Sequence, residues 1–182
     1  MDAPDLLQLL REKAEAVQVV VQEVPDLAAA SRYAVDLTLS QGGTTLAAPG
    51  WDPNTLPALK DLCSEAKIEL LTENLREHAQ RLHTGLTLAD WGLAETGTLV
   101  LESTSEDLRL ATMLTETHVA VLPLSRLKPD VGAIEAELHG LMQSPPRYLA
   151  FITGASRTAD IERVLTLGVH GPLELHLLLL KD

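Results

Sequence analysis

The feature that most constrains this chain is an alternation. Short apolar runs, bounded by glycine, proline or polar turn residues, are interleaved with segments whose apolar positions recur at helical spacing. Leu6, Leu7, Leu9 and Leu10, with Lys13 to Ala16, predict an N-terminal helix over residues 1–16. Val17, Val19 and Val21, with Gln18 and Gln22 between them, predict a strand. Pro25 suits a helix first turn, and Leu27, Ala30, Ala34 and Leu37 keep helical spacing until Gly42-Gly43 stops it. Thr44 to Ala48 reads as a strand, Asp52-Pro53 as the cap and first position of a helix to about Ala66, and Ile68 to Leu71 as a strand. Glu73 to Arg81 is polar and helix-prone. From Gly85 to Leu101 the chain is rich in Gly and Thr and ends in buried-strand character.

Beyond it, Ser103 with Glu106 forms a capping-box pattern for a helix through Met113 and Leu114. His118 to Leu122 predicts a strand, Asp130 to Met142 a helix, Arg147 to Thr153 a strand and about Ala159 to Leu165 a short helix. Leu173 to Leu180 predicts a strand buried on both faces. Strand alternating with helix implies an α/β domain in which a largely parallel sheet is covered by helices on both faces. Ligands of such folds usually sit beyond the carboxyl ends of the strands. No repeat or long Gly/Ser/Pro linker divides the 182 residues, which are read as a single domain.

Composition narrows the functions open to such a domain. Hydrophobic residues make up 46% of the chain, enough for a core, but only five residues are aromatic, so that core is aliphatic and no stacking platform for bases exists. Fourteen basic against 26 acidic residues give a net charge of −12, which repels phosphate backbones and anionic membranes. A small anion is not excluded, because local arginines act within a screening length of about 8 Å. The single cysteine, Cys63, falls short of the roughly four ligands that an iron–sulfur cluster or structural zinc requires, and it reads as a small core residue. His78, His83, His118, His139 and His176 form no metal-ligand spacing. The longest apolar run is five residues, Tyr148 to Ile152, and the opening Met1-Asp2-Ala3-Pro4-Asp5 is acidic where a signal peptide is basic, so a cytoplasmic protein with no membrane span is expected.

Three segments carry chemistry. Ile152-Thr153-Gly154-Ala155-Ser156-Arg157-Thr158-Ala159-Asp160-Ile161-Glu162 reads as a strand, a glycine turn, a hydroxyl-rich loop and a helix start, a junction whose N–H groups, hydroxyls and guanidinium suit a carboxylate or phosphate. The plainer alternative has Thr158 capping a helix and Arg157 paired with Asp160 or Glu162. Gly154-Ala155-Ser156-Arg157-Thr158 nearly matches a serine nucleophile elbow but lacks its second glycine, and no acid is well spaced between Ser156 and His170. Gly92-Leu93-Ala94-Glu95-Thr96-Gly97-Thr98 has P-loop glycine spacing with Thr98 in place of the lysine, which rejects that motif. Glu95 could act as base, nucleophile or acceptor, or satisfy its own turn. His170 lies between glycines in Gly168-Val169-His170-Gly171-Pro172, where close ligand approach is open to it, or simple solvation. Of the cations, Arg157 is favoured for a carboxylate over Arg109, expected in a helix beside Glu106 and Asp107, and over Arg163. Glu95, Ser156, Arg157 and His170 are expected around one pocket.

Taken together, Ala89-Asp90, Ala94-Glu95-Thr96-Gly97-Thr98-Leu99-Val100-Leu101, Arg109-Leu110, the His118 strand, Ile152 to Glu162 and Gly168 to Pro172 resemble the LUD-domain family, in its small LutC-like (lactate utilisation C) branch. Ala155 stands where proline is more usual, and Trp91-Gly92-Leu93 also departs from the common pattern. The resemblance covers about half the chain, from Gly85 onward. It implies a three-layer, Rossmann-like fold of the NagB/RpiA/CoA-transferase type. It also implies a part in oxidising L-lactate to pyruvate beside cysteine-rich partner proteins that hold the iron–sulfur clusters, with no cofactor in this chain. The resemblance gives no mechanism; from the residues themselves Glu95 and His170 are the catalytic candidates, and Thr96, Gly97, Thr98, Arg109, Gly154, Ser156, Arg157 and Thr158 the ligand-binding ones. A stand-alone transferase or ligase, or a non-catalytic ligand-binding scaffold, remain the alternatives.

Overall fold

The computed structural model describes residues 3–143, 147–159, 165–168 and 170–181. In chain order the regular elements are α1 (Ala3–Ala16), β1 (Val20–Val24), α2 (Leu27–Ser40), β2 (Thr45–Ala47), α3 (Leu56–Glu65), β3 (Glu69–Leu71) and β4 (Thr84–Leu88). There follow β5 (Trp91–Leu93), β6 (Thr98–Glu102), α4 (Glu106–Met113), β7 (Thr117–Pro123), β8 (Leu127–Lys128) and α5 (Glu135–Met142). The described elements close with β9 (Leu149–Ile152), β10 (Arg157–Ala159), β11 (Leu165–Leu167) and β12 (Glu174–Leu180). The polar stretch Leu75–Arg81 is a 3-10 helix.

Six strands form one parallel sheet in the order β1-β12-β7-β4-β2-β3. The two-residue period of its central strands divides the core. Val119 and Val121 of β7 and Leu178 and Leu180 of β12 face α2 and α3, meeting Ala30, Ala34, Leu59 and Cys63. Ala120, Leu122, Leu175, Leu177 and Leu179 face the other way, onto Leu10 and Ala14 of α1 and onto Leu99 and Leu101 of β6. The second layer is therefore shared by helix α1 and a smaller sheet, β8-β5-β6-β9, in which β6 pairs antiparallel with both β5 and β9. Helix α4 completes that layer, its Ala111 packed with Ala47, Leu71 and Leu75. The result is a three-layer, Rossmann-like α/β fold.

Several boundaries move for local reasons. Asp26, not Pro25, opens α2, its carboxylate accepting from Ala29 N at 2.6 Å. Asp52 spends its carboxylate on the N–H groups of Asn54 and Thr55, making a turn of its own, so α3 starts at Leu56. Ser105, not Ser103, caps α4 by accepting from Leu108 N, and Ser103 instead donates to Tyr148 O at 3.3 Å. Asp130 caps a 3-10 turn over Val131–Ile134 that leads into α5. The largest correction lies at the C-terminal third. Ala159 and Leu165, the expected ends of a helix, belong to the antiparallel pair β10–β11, with Arg157 opposite Leu167 and Ala159 opposite Leu165. Residues 160–164 lie outside the described residues.

Candidate functional site

The turn that follows β9 is built around Gly154, whose φ of +80° is a left-handed conformation open to glycine. A side chain there would also meet Val17 O at 3.0 Å. The chain then extends through Ser156, whose N–H donates to Pro172 O and whose carbonyl accepts from Gly168 N, each at 2.9 Å. These two bonds bring the His170-Gly171-Pro172 segment back onto Ser156, closely enough that a Cβ on Gly171 would lie 3.3 Å from Ser156 Oγ.

The cleft so formed encloses about 440 Å³ between β9, the end of α4 and the main sheet. Ser156, His170, Gly154 and Arg109 line it, with Thr112, His118 and Tyr148. It meets the sheet at His118 and Leu175, each the second residue of its strand, and so at the amino-terminal rim. The expected location was the opposite rim. There the structure has a smaller depression of about 330 Å³ where Asp90 and Arg126 already pair at 3.3 Å.

Among the described residues Arg109 is the arginine that lines the cleft. Its Nη1 donates to the carbonyls of Ser103 at 2.6 Å and Thr104 at 2.8 Å, and its Cζ lies 4.8 Å above the Tyr148 ring. The acids expected to neutralise it are engaged elsewhere: Glu106 binds Arg76, and Asp107 accepts from the N–H groups of Asn74 and Leu75. Arg109 makes no ion pair among the described residues, although Glu106 is close enough for the two charges to attract.

At the floor His118 is 1% exposed, with Nε2 2.8 Å from Thr87 Oγ1. Burial lowers its pKa to about 4, so the ring is neutral at pH 7. A neutral imidazole and a hydroxyl offer hydrogen bonds without adding charge. His176, the other buried imidazole, serves a different face, bridging Tyr33 Oη at 2.8 Å and Glu174 at 3.0 Å.

The remaining sequence-derived residues gather beside the cleft, not in it. Exposed Glu95 and Thr96 and buried Thr98 line a separate depression of about 330 Å³ at the β5–β6 turn, which Gly97 completes. A hydroxyl chain runs from Thr96 through Thr98 to Thr153, both steps 2.7 Å. Phe151 and Thr153 line both hollows, so they form the wall between Glu95 and Ser156. Arg157 is exposed and donates from Nη2 to Thr153 O at 3.2 Å, outside either lining. Thr158 sits in β10; Arg163 lies outside the described residues. The structure thus joins Ser156, His170 and Arg109, and sets Glu95 and Arg157 apart from them. His118, Thr87 and Tyr148 escaped sequence reasoning as site residues. The one usable sign was a polar His118 at the head of an otherwise apolar strand.

A three-layer α/β fold with a ligand-sized, arginine-bearing cleft defines the class, and comparison with known proteins gives the family. The LUD domain matches residues 7–180, and the chain belongs to the LUD-domain family. A "Lactate utilization protein C" from Halalkalibacterium halodurans is 38% identical over 113 residues, 60% of this chain and 49% of that protein. Another from Macrococcus caseolyticus is 34% identical over 113 residues, 60% of this chain and 48% of that protein. "Uncharacterized protein YkgG" of Escherichia coli K12 is also 34% identical, with the same two shares. The chain spans about half the length of the curated relatives it matches. A crystal structure of a DUF162 family protein from Deinococcus radiodurans superposes with a TM-score of 0.65 over 99% of both chains at 14% identity, a likeness of fold.

Proposed function

We propose that this chain serves a lactate-utilisation system as a subunit that binds a small carboxylate, beside cysteine-rich partner proteins that carry iron–sulfur clusters. Relatives named for lactate utilisation support the first part. Oxidising lactate to pyruvate releases two electrons and two protons, and a chain with one thiol, buried Cys63, lacks a ligand set for a cluster to receive them. The partners supply that set.

The single observation that carries carboxylate binding is Arg109, a guanidinium that lines the cleft and makes no ion pair among the described residues, in a protein of net charge −12. Its planar fork suits a carboxylate, and Ser156, His170 and neutral His118 stand ready to orient the ligand. Arg157, Glu95, Thr96 and Thr98 border this site, and Thr153, the last of the threonine chain, lines it.

The test is growth on L-lactate. Deleting the gene should abolish growth, and the wild-type chain should restore it while pulling down cysteine-rich, iron-containing proteins. Arg109→Ala, at equal protein level, should not restore growth; Arg157→Ala should. Undiminished growth of the deletion strain overturns the lactate reading, and full rescue by Arg109→Ala overturns the assignment of the carboxylate to Arg109.

A further inference from the structure

The cleft is too large and too apolar for lactate alone. Lactate has six heavy atoms and fills about the space of four waters, roughly 120 Å³. The cleft holds about 440 Å³, within the range of roughly 300–1,000 Å³ that sites for drug-sized ligands occupy. With lactate on Arg109, most of the remaining space would be water against Leu149, Ala150, Ile152, Pro172 and Leu175, walls that offer few side-chain polar partners. The mouth is also apolar: Met113, Tyr148 and Phe151 are 54%, 55% and 49% exposed, an arrangement in which hydrocarbon can be covered on entry.

Charge sets a second bound. Among the described residues the cleft presents one guanidinium, beside the His170 imidazole, and its floor histidine is neutral. One guanidinium in a protein of charge −12 suits one carboxylate better than a dicarboxylate or a polyphosphate.

We propose that the cleft takes an amphipathic monocarboxylate, with its carboxylate on Arg109 and an aliphatic chain of several carbons laid along Ile152, Pro172 and Leu175. The proposal rests on the assignment of the carboxylate to Arg109 and adds the size and polarity of the rest of the ligand.

Wild-type protein decides this without any folding risk. Lactate, butyrate, hexanoate, octanoate and hexan-1-ol are titrated calorimetrically into the full chain. Each buried methylene strengthens binding up to about fourfold, so affinity should climb from butyrate to octanoate at two- to fourfold per methylene, with one site per chain. Hexan-1-ol should bind at least tenfold more weakly than hexanoate. Hexanoate and octanoate binding no tighter than lactate, or failing to saturate at one per chain, overturns the chain-binding inference while leaving Arg109 its carboxylate. Hexan-1-ol matching hexanoate, together with an Arg109→Ala protein that binds hexanoate as well as wild type, overturns the Arg109 assignment instead.

Discussion

Gly85→Ala tests whether the close seating of α4 on β4 builds the cleft. Gly85 is buried in β4, paired with Ala47 on one side and His118 on the other. A Cβ at this position would lie 2.2 Å from Ala111 O and 3.1 Å from Thr115 Oγ1. The first contact is with helix backbone, so no rotamer change relieves it. Restoring ordinary contact requires α4 to move off the sheet by about 1 Å, against the packing of Ala111 with Ala47, Leu71 and Leu75. Overpacking of this kind costs about 1–3 kcal/mol, and a rigid backbone obstacle places this case near 3. For a chain of this size that is a fall in Tm of about 6–12 °C.

The same displacement carries Arg109, Thr112 and Met113 away from β9, so hexanoate binding should weaken at least tenfold even in the folded fraction. Urea unfolding measures the stability and calorimetry the binding. Gly140→Ala is the internal control: it lies exposed in α5 with open space around its Cβ, and helix propensity predicts a gain of up to about 1 kcal/mol. If Gly85→Ala unfolds within 0.5 kcal/mol of wild type and binds normally, then α4 does not depend on that contact and the reasoning fails.

Two further predictions concern titrating groups. The unfolded His118 ring protonates near 6.5, whereas the buried ring stays neutral down to about 4, so its contribution is complete above pH 6.5 and lost as pH falls toward 4. Wild type should lose about 2 kcal/mol between pH 7.5 and pH 5 from this group alone, and His118→Gln should lose that slope; identical slopes in urea titrations would refute the assignment. Burial raises the Cys63 thiol to about 11, so at pH 8 a thiol reagent should react slowly with native protein and fully within minutes after unfolding in urea. Rapid native labelling would place that residue outside the core.

How far the sequence reached follows from the range of the interactions involved. Periodicity is local, and it sufficed for the alternation, for the doubly buried β12 and for Cys63 in the core of α3, because burial on both faces leaves a continuous apolar run. It failed where capping residues compete within a few positions: Ser103 and Ser105 are both competent caps, and the tie broke when Tyr148 O, 45 residues away, took Ser103. It failed again at Arg157 to Leu167, where a plausible helix gave way to pairing with a second strand and to the bonds that tie Ser156 to Gly168 and Pro172.

The site divided along the same line. Residue types were legible in the sequence: one guanidinium among hydroxyls and imidazoles in glycine-bounded turns, in an acidic chain with a single thiol. Which guanidinium, and which rim of the sheet, were not. Arg109 and Arg157 are both arginines near polar loops; only packing decided that Arg109 lies over Tyr148 in the cleft while Arg157 turns out to Thr153 O. Glu95 and Ser156 were parted by Phe151, a residue that the sequence presents as one more member of an apolar strand. Side-chain alternation along a strand is written in the sequence, but which neighbour fills the space opposite each face is a property of chain crossings, and those exist only once distant segments have met.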